Sequence, residues 1–143
     1  MSQFTLHTQQ LDVETDVGVD IRDVTDRLNR IVADSGIAEG QLSAAVVGST
    51  GSLTTIEFEP GVVADLRRAI NELAPPDREY QHELAWHDGN GHSHVGAALL
   101  GPSIALPVRK GRLRLGAWQQ VVLINHDNRG RKRPVEVTVI GRT

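Results

Sequence analysis

The chain opens with an alternation of polar and apolar positions over residues 3–13, the pattern of a half-buried strand, with Phe4 and Leu6 on one face. The period then changes. In residues 20–34 the side chains of Ile21, Val24, Leu28, Ile31 and Val32 fall on one helical stripe. Asp20 suits the N-cap and Gly36 the position just past the helix end. Residues 41–49 and 53–59 predict two strands joined by small residues. A second helix is predicted from Pro60, well placed in a first turn, to just before Pro75 and Pro76. Its buried arc comprises Val62, Val63, Leu66, Ile70 and Leu73, with Asp65 at the margin.

Residues 80–86, if extended, put His82 on the same face as Tyr80, Leu84 and Trp86, and Gly89 and Gly91 predict a turn. Residues 103–108, 112–125 and 133–141 supply three or four further strands. Val121–Ile124 is apolar on both faces, as a central strand requires, whereas Val135, Val137 and Val139 alternate with polar residues. Pro107 moves its strand toward a sheet edge. Residues 1–143 therefore predict a single compact α+β domain, with mostly antiparallel strands in a sandwich-like sheet core and two main helices.

Composition sharpens this picture in three respects. With only two Phe, two Trp and one Tyr, the core must be aliphatic. The absence of cysteine removes disulfides, thiolate metal sites and thiol nucleophiles. The polar N-terminal segment and the lack of a long apolar run point to a cytoplasmic protein with no membrane partner. The net charge of −3 argues against a nucleic-acid partner, which would need a broad basic face.

Two stretches carry candidate chemistry. The first, YQHELAWHDGNGHSHVG at 80–96, holds four of the six histidines: His82, His87, His92 and His94. Imidazoles arriving from two elements suit a divalent metal, yet there is no HExxH spacing, and spacing alone favours a solvated loop. The glycines do not complete a dinucleotide fingerprint, because its third position is His94. The second stretch, HDNRGRKR at 126–133, offers arginines that can bind phosphate bidentately, or forms the charged tip of a hairpin.

In order, YQH, GNGHSH, LLGPSIALPV and GRLRLGAWQQVVLINHDNRGRKRPVEVTVIG resemble the YjbQ-like family, the secondary thiamine-phosphate synthase enzymes, from about Gly40 to Gly141. The resemblance implies a compact α+β fold that assembles as a homotrimer and joins a pyrimidine pyrophosphate to a thiazole phosphate, releasing pyrophosphate. It implies catalytic roles for His82, His94 and Asp65, and substrate contacts from Thr50, Glu57, Asn90, Asp127, Arg131 and Arg133. A divalent metal is expected on one of two sets: Mg²⁺ on Glu57, Asp65 and Asp127, or Zn²⁺ on His82 and His94. The alternative is a non-catalytic trimer that binds a metal or a phosphorylated metabolite. Two departures stand out. Ser49-Thr50-Gly51 replaces the family's His-Thr-Thr, and Asn125 replaces a glutamate before the closing aspartate. The extra histidines His87, His92 and His126 have no assigned role.

Overall fold

A computed structural model describes residues 3–143. Its eight strands are all antiparallel where they pair and form two sheets. The larger sheet runs in the order β1 (Phe4–Thr15), β8 (Arg131–Arg142), β3 (Glu39–Val46), β5 (Ser103–Arg109) and β6 (Arg112–Leu113). The smaller one is β2 (Asp20–Asp23), β7 (Gln120–Asn125) and β4 (Gly51–Ile56). Pro107 lies in β5, where only Val108 and Arg109 pair with the short β6, so most of its outer flank is an edge.

The core lies between the sheets. Leu42, Ala44, Val46, Val135, Val137 and Val139 from the larger sheet meet Leu53, Val121 and Leu123 from the smaller one. Helix α1 (Thr25–Ser35) closes one side of this core with Leu28, Ile31 and Val32. Val122 and Ile124 point the other way, against Ile70, Val63 and Leu66 of α2 (Pro60–Leu73). β7 is thus buried on both faces, as its apolar run requires.

Several expectations change. Asp20–Asp23 is strand rather than helix, and α1 starts at Thr25, where the Asp23 carboxylate accepts from both the amide and the hydroxyl of Thr25. Gly36 does end the helix, at φ 69°. Phe4 and Leu6 do share one face of β1, as expected, and it is the outer face, because the buried residues Leu11, Val13 and Thr15 have the opposite parity. Leu73 is exposed, leaving Ile70 as the buried anchor of α2. Residues 80–86 do not form a strand. A short helix, α3 (His82–Trp86), and a further helix, α4 (Gly91–Leu100), bring the helices to four.

At Gly40 and Gly141 the paired strands β3 and β8 approach so closely that a Cβ on Gly141 would sit 2.1 Å from the Glu39 carbonyl oxygen. Gly141→Val should therefore lower the unfolding free energy by about 2 kcal/mol or more. The urea midpoint checks this; an unchanged midpoint would contradict it.

Candidate functional site

β8 is longer than its neighbour β3. Arg131 to Pro134 pair only with β1, because the ladder with β3 begins at Val135. The loop after β3 folds over this uncovered stretch, and the Val47 amide donates to the Pro134 carbonyl at 2.9 Å. The end of β7 arrives from beneath, where Asn125 pairs with Asp20 on one side and Gly51 on the other. Three chain segments therefore converge on Arg133.

Arg133 is only 5% exposed. Its Nε donates to Asn125 Oδ1 at 3.1 Å, and its Nη2 donates to the Thr50 carbonyl at 3.0 Å and to the Thr50 hydroxyl. That hydroxyl in turn donates a hydrogen bond to Asp127 Oδ2 at 2.9 Å. The same oxygen accepts from Arg131 Nε at 3.1 Å and lies 3.8 Å from Arg133 Nη2. Asp127 Oδ1 accepts from the Arg129 amide. One buried carboxylate thus serves two guanidiniums. Burial works against its ionisation. Hydrogen bonds from Asn90, Thr50 and Arg131 outweigh that and hold the carboxyl below the usual carboxylate range. Burial also works against the charge on Arg133, and Asp127 offsets part of the effect.

Asn125 anchors the floor. Its amide donates to the carbonyls of Asp16 at 2.7 Å and Arg129 at 3.1 Å, while its oxygen accepts from Arg133 and from the Asp127 amide. Being neutral, it leaves the positive charge of Arg133 in place.

The far wall comes from α3 and α4. Both carboxylate oxygens of Glu83 are engaged, by the Gly89 amide at 2.6 Å and the Gly91 amide at 3.0 Å, which lower its pKa. The buried Asn90 accepts from the Asn128 amide at 3.1 Å and from the Ser93 hydroxyl. The helix start is thereby tied to the β7–β8 turn. The His82 and His94 rings pack with centroids 4.6 Å apart and planes inclined by 38°. His82 Nδ1 lies 3.4 Å from Glu83 Oε1 and 3.4 Å from Asp88 Oδ1.

Together these groups enclose a cleft of about 390 Å³. Ser49, Thr50 and Lys132 line it beside Asp88, Asn90, His94, Asp127, Arg131 and Arg133. Three basic side chains face two carboxylates, one of which already pairs with both arginines. The arrangement suits an anion.

Of the candidate residues, Thr50, Asn90, His94, Asp127, Arg131 and Arg133 share this cleft, and His82 supports it through His94. Glu57 and Asp65 lie elsewhere. Glu57 lines another depression with Phe58 and Trp118, and Asp65, exposed on α2, pairs with Arg68 at 3.1 Å. The carboxylate set expected for Mg²⁺ therefore does not converge in this chain. The described residues gather a different trio, His82, Glu83 and Asp88, with potential ligand atoms within 4.8 Å of one another. His87 is exposed at the end of α3. The Nδ1 of His92 is buried without a hydrogen-bond partner among the described residues.

The sequence reading left out Lys132 as a cleft residue and gave no role to His126. A signal for the floor was present: Asn125, His126 and Asp127 continue a strand that is apolar on both faces, so burial of these polar groups was to be expected. His126 is 2% exposed, its Nε2 is 2.8 Å from the Ser52 hydroxyl, and its Nδ1 faces Gly96 of α4.

Comparison with known proteins gives a consistent picture. The family model described as "UPF0047 protein YjbQ-like" matches residues 9–142. A UPF0047 protein of Methanothermobacter thermautotrophicus is 31% identical over 137 residues, covering 96% of this chain and 94% of its own. The UPF0047 protein YjbQ of Salmonella typhimurium is 33% identical over 120 residues, covering 83% and 84%. Among solved structures, a protein of unknown function from Sulfolobus solfataricus P2 superposes with a TM-score of 0.92 at 32% identity, covering 97% of this chain and 99% of that one. A hypothetical protein from Aeropyrum pernix K1 gives 0.88 at 31% identity, covering 94% and 98%.

Burial, then the charges of Arg133 and His92, push His126 down to about 4. The unfolded chain binds this proton near the ordinary value of about 6.5. The contribution of neutral His126 to stability is therefore complete above pH 6.5 and is lost as pH falls from there toward 4. His126→Asn should remove about 3 kcal/mol of that pH dependence. Urea unfolding of both proteins between pH 4 and 7 checks this; parallel curves would contradict it.

Proposed function

The chain belongs to the YjbQ-like UPF0047 family, and we propose that its cleft binds a phosphorylated metabolite and promotes transfer with release of pyrophosphate. The reaction is the one the family resemblance implies: thiamine phosphate formed from a pyrimidine pyrophosphate and a thiazole phosphate. The observation that supports it best is the convergence of Arg131, Lys132 and Arg133 on one side of a cleft whose buried carboxylate, Asp127, is already shared between the arginines.

In such a transfer the thiazole nitrogen attacks the methylene carbon of the pyrimidine. The carbon–oxygen bond breaks, and its electron pair leaves with pyrophosphate. Charge accumulates on the departing oxygens, so fixed cations near them lower the barrier. Arg131 and Lys132, at the cleft surface, meet the outer oxygens. Arg133, held by Asn125 and Thr50, presents its charge without reorganisation. Asp127 keeps both guanidiniums oriented. Asn90 positions the α4 wall, and His94 supplies a ring surface and a hydrogen-bonding nitrogen beside the substrate. Glu57, Asp65 and Asp127 face different surroundings in this chain and do not converge on one ion. Homotrimer assembly is part of the proposal, supported by the exposed Trp86, Leu84 and Leu99 on α3 and α4.

The alternative, a non-catalytic binder of a metal or phosphorylated metabolite, is favoured by one feature, the clustering of His82 with Glu83 and Asp88. A single experiment separates the readings. Given both precursors and Mg²⁺, the purified protein should form thiamine phosphate, and Arg131→Gln should lower kcat by about 10²-fold, as loss of one transition-state donor does. No product in the presence of tightly bound pyrophosphate would overturn the enzymatic reading and favour the binding one.

A further inference from the structure

We propose that the free edge of β1 is an interaction surface for a second copy of this chain, the two strands pairing antiparallel through residues 4–12 about a two-fold axis. The proposal is independent of the function proposed for the cleft. Each sheet has two edges, and among the described residues three of the four are closed to a further strand. On the β5 side, Pro107 interrupts the edge, β6 is only two residues long, and the Leu113 amide is already given to Asn29 of α1 at 2.9 Å. β2 has four residues, three of them charged. The β4 edge is occupied, since the Leu53 amide donates to the Gly101 carbonyl at 3.2 Å.

β1 has no such protection. It pairs with β8 without a bulge over twelve consecutive residues, Phe4 to Thr15. Residues 4–11, FTLHTQQL, contain no Lys, Arg, Asp, Glu, Pro or Gly. None of residues 4–10 is buried, so β8 alone holds this half of the strand. The direction of its backbone groups follows from Asp12 and its cross-strand partner Pro134. The Pro134 carbonyl turns away toward the Val47 amide, and the Asp12 carbonyl accepts from Arg27 Nη2 at 2.7 Å on the opposite side. By the alternation of an antiparallel ladder, Phe4, Leu6, Thr8 and Gln10 also direct their amides and carbonyls outward, away from β8.

A second β1 satisfies these groups. With Thr8 on the two-fold axis, Leu6 faces Gln10 of the second copy and Phe4 faces its Asp12. Outward-directed residues then meet one another, and the outer faces of both sheets stay on the same side. Asp12 and Glu14 lie in one half of the strand, so antiparallel pairing keeps the carboxylates of the two copies apart. The pairing is also complementary in charge. Arg142, exposed on β8, lies beside Phe4 on the outer face. It is two strands, about 10 Å, from Asp12 of the second copy, a span the two side chains can bridge. This two-fold contact is separate from a three-fold contact on α3 and α4. With both, the particle is a hexamer; with this one alone, it is a dimer.

Light-scattering mass measurement on the intact protein tests this, the chain mass being 15.6 kDa. At high protein concentration the particle should be an even multiple of that mass. Thr8→Pro removes an outward amide that does not donate to β8, and Leu6→Lys places a charge on the edge; both positions are exposed. Either change should halve the mass. Should Thr8→Pro alter the circular dichroism spectrum, Leu6→Lys decides. Arg142→Asp should raise the dissociation constant about fivefold, and Asp12→Arg in the same chain should restore it. A monomer or a trimer at high concentration would overturn the edge contact, as would an even multiple that survives the edge substitutions. The trimer would leave the three-fold assembly of the proposed function standing, whereas a dimer would support the edge contact and remove that assembly.

Discussion

A guanidinium that is almost wholly buried must have its donors satisfied and its charge balanced, and the organisation of this site follows from how that is done for Arg133. Stripping water from such a charge costs several kcal/mol before any partner is counted. Asn125 and Thr50 satisfy two of its nitrogens, and Asp127, 3.8 Å away, supplies negative charge. That carboxylate is divided, because it also binds Arg131 directly at 3.1 Å. Two cations around one anion leave a surplus positive charge beside a cleft that opens to solvent. A fully neutralised pair would have favoured stability alone. The surplus favours an incoming anion.

The same residues fix the surrounding backbone. Thr50 holds the β3–β4 loop over the start of β8, and its carbonyl accepts from the His126 amide at 2.8 Å. Asn125 joins the end of β7 to the turn at Arg129 and to the segment before β2. Asn90 fastens the first turn of α4 to Asn128 of the same turn. The cleft is therefore built at the rims of both sheets, where strands of unequal length leave backbone uncovered, while the aliphatic core supports it from below.

How much of this could be read from the sequence depended on the type of signal. Where burial is one-sided or complete, hydrophobic pattern sufficed: the run Val121–Ile124 gave the central strand, and Val135, Val137 and Val139 gave an inward face. It failed where apolar residues stay exposed. Tyr80, His82, Leu84 and Trp86 alternate like a strand, yet Leu84 and Trp86 are 78% and 71% exposed on a one-and-a-half-turn helix. Helix α4 was missed because Gly91, Ser93, Gly96 and Ala97 form its buried side, so small residues rather than large apolar ones carry the packing. The cleft residues were legible through the family resemblance and through the DNRGRKR run. Their division of labour was not, since it depends on contacts between positions as distant as Thr50 and Arg133. Glu57 and Asp65 show the limit of a motif match: similar positions along the chain do not converge unless the fold brings them together.

The most direct test of the central claim is a crystal structure of the protein grown with pyrophosphate. The account predicts the anion in the cleft, with an oxygen on Arg133 Nη1 and others against Arg131 and Lys132, and with Asp127 still bridging the two arginines. An anion bound elsewhere, or one that displaces Asp127 from Arg131, would contradict it.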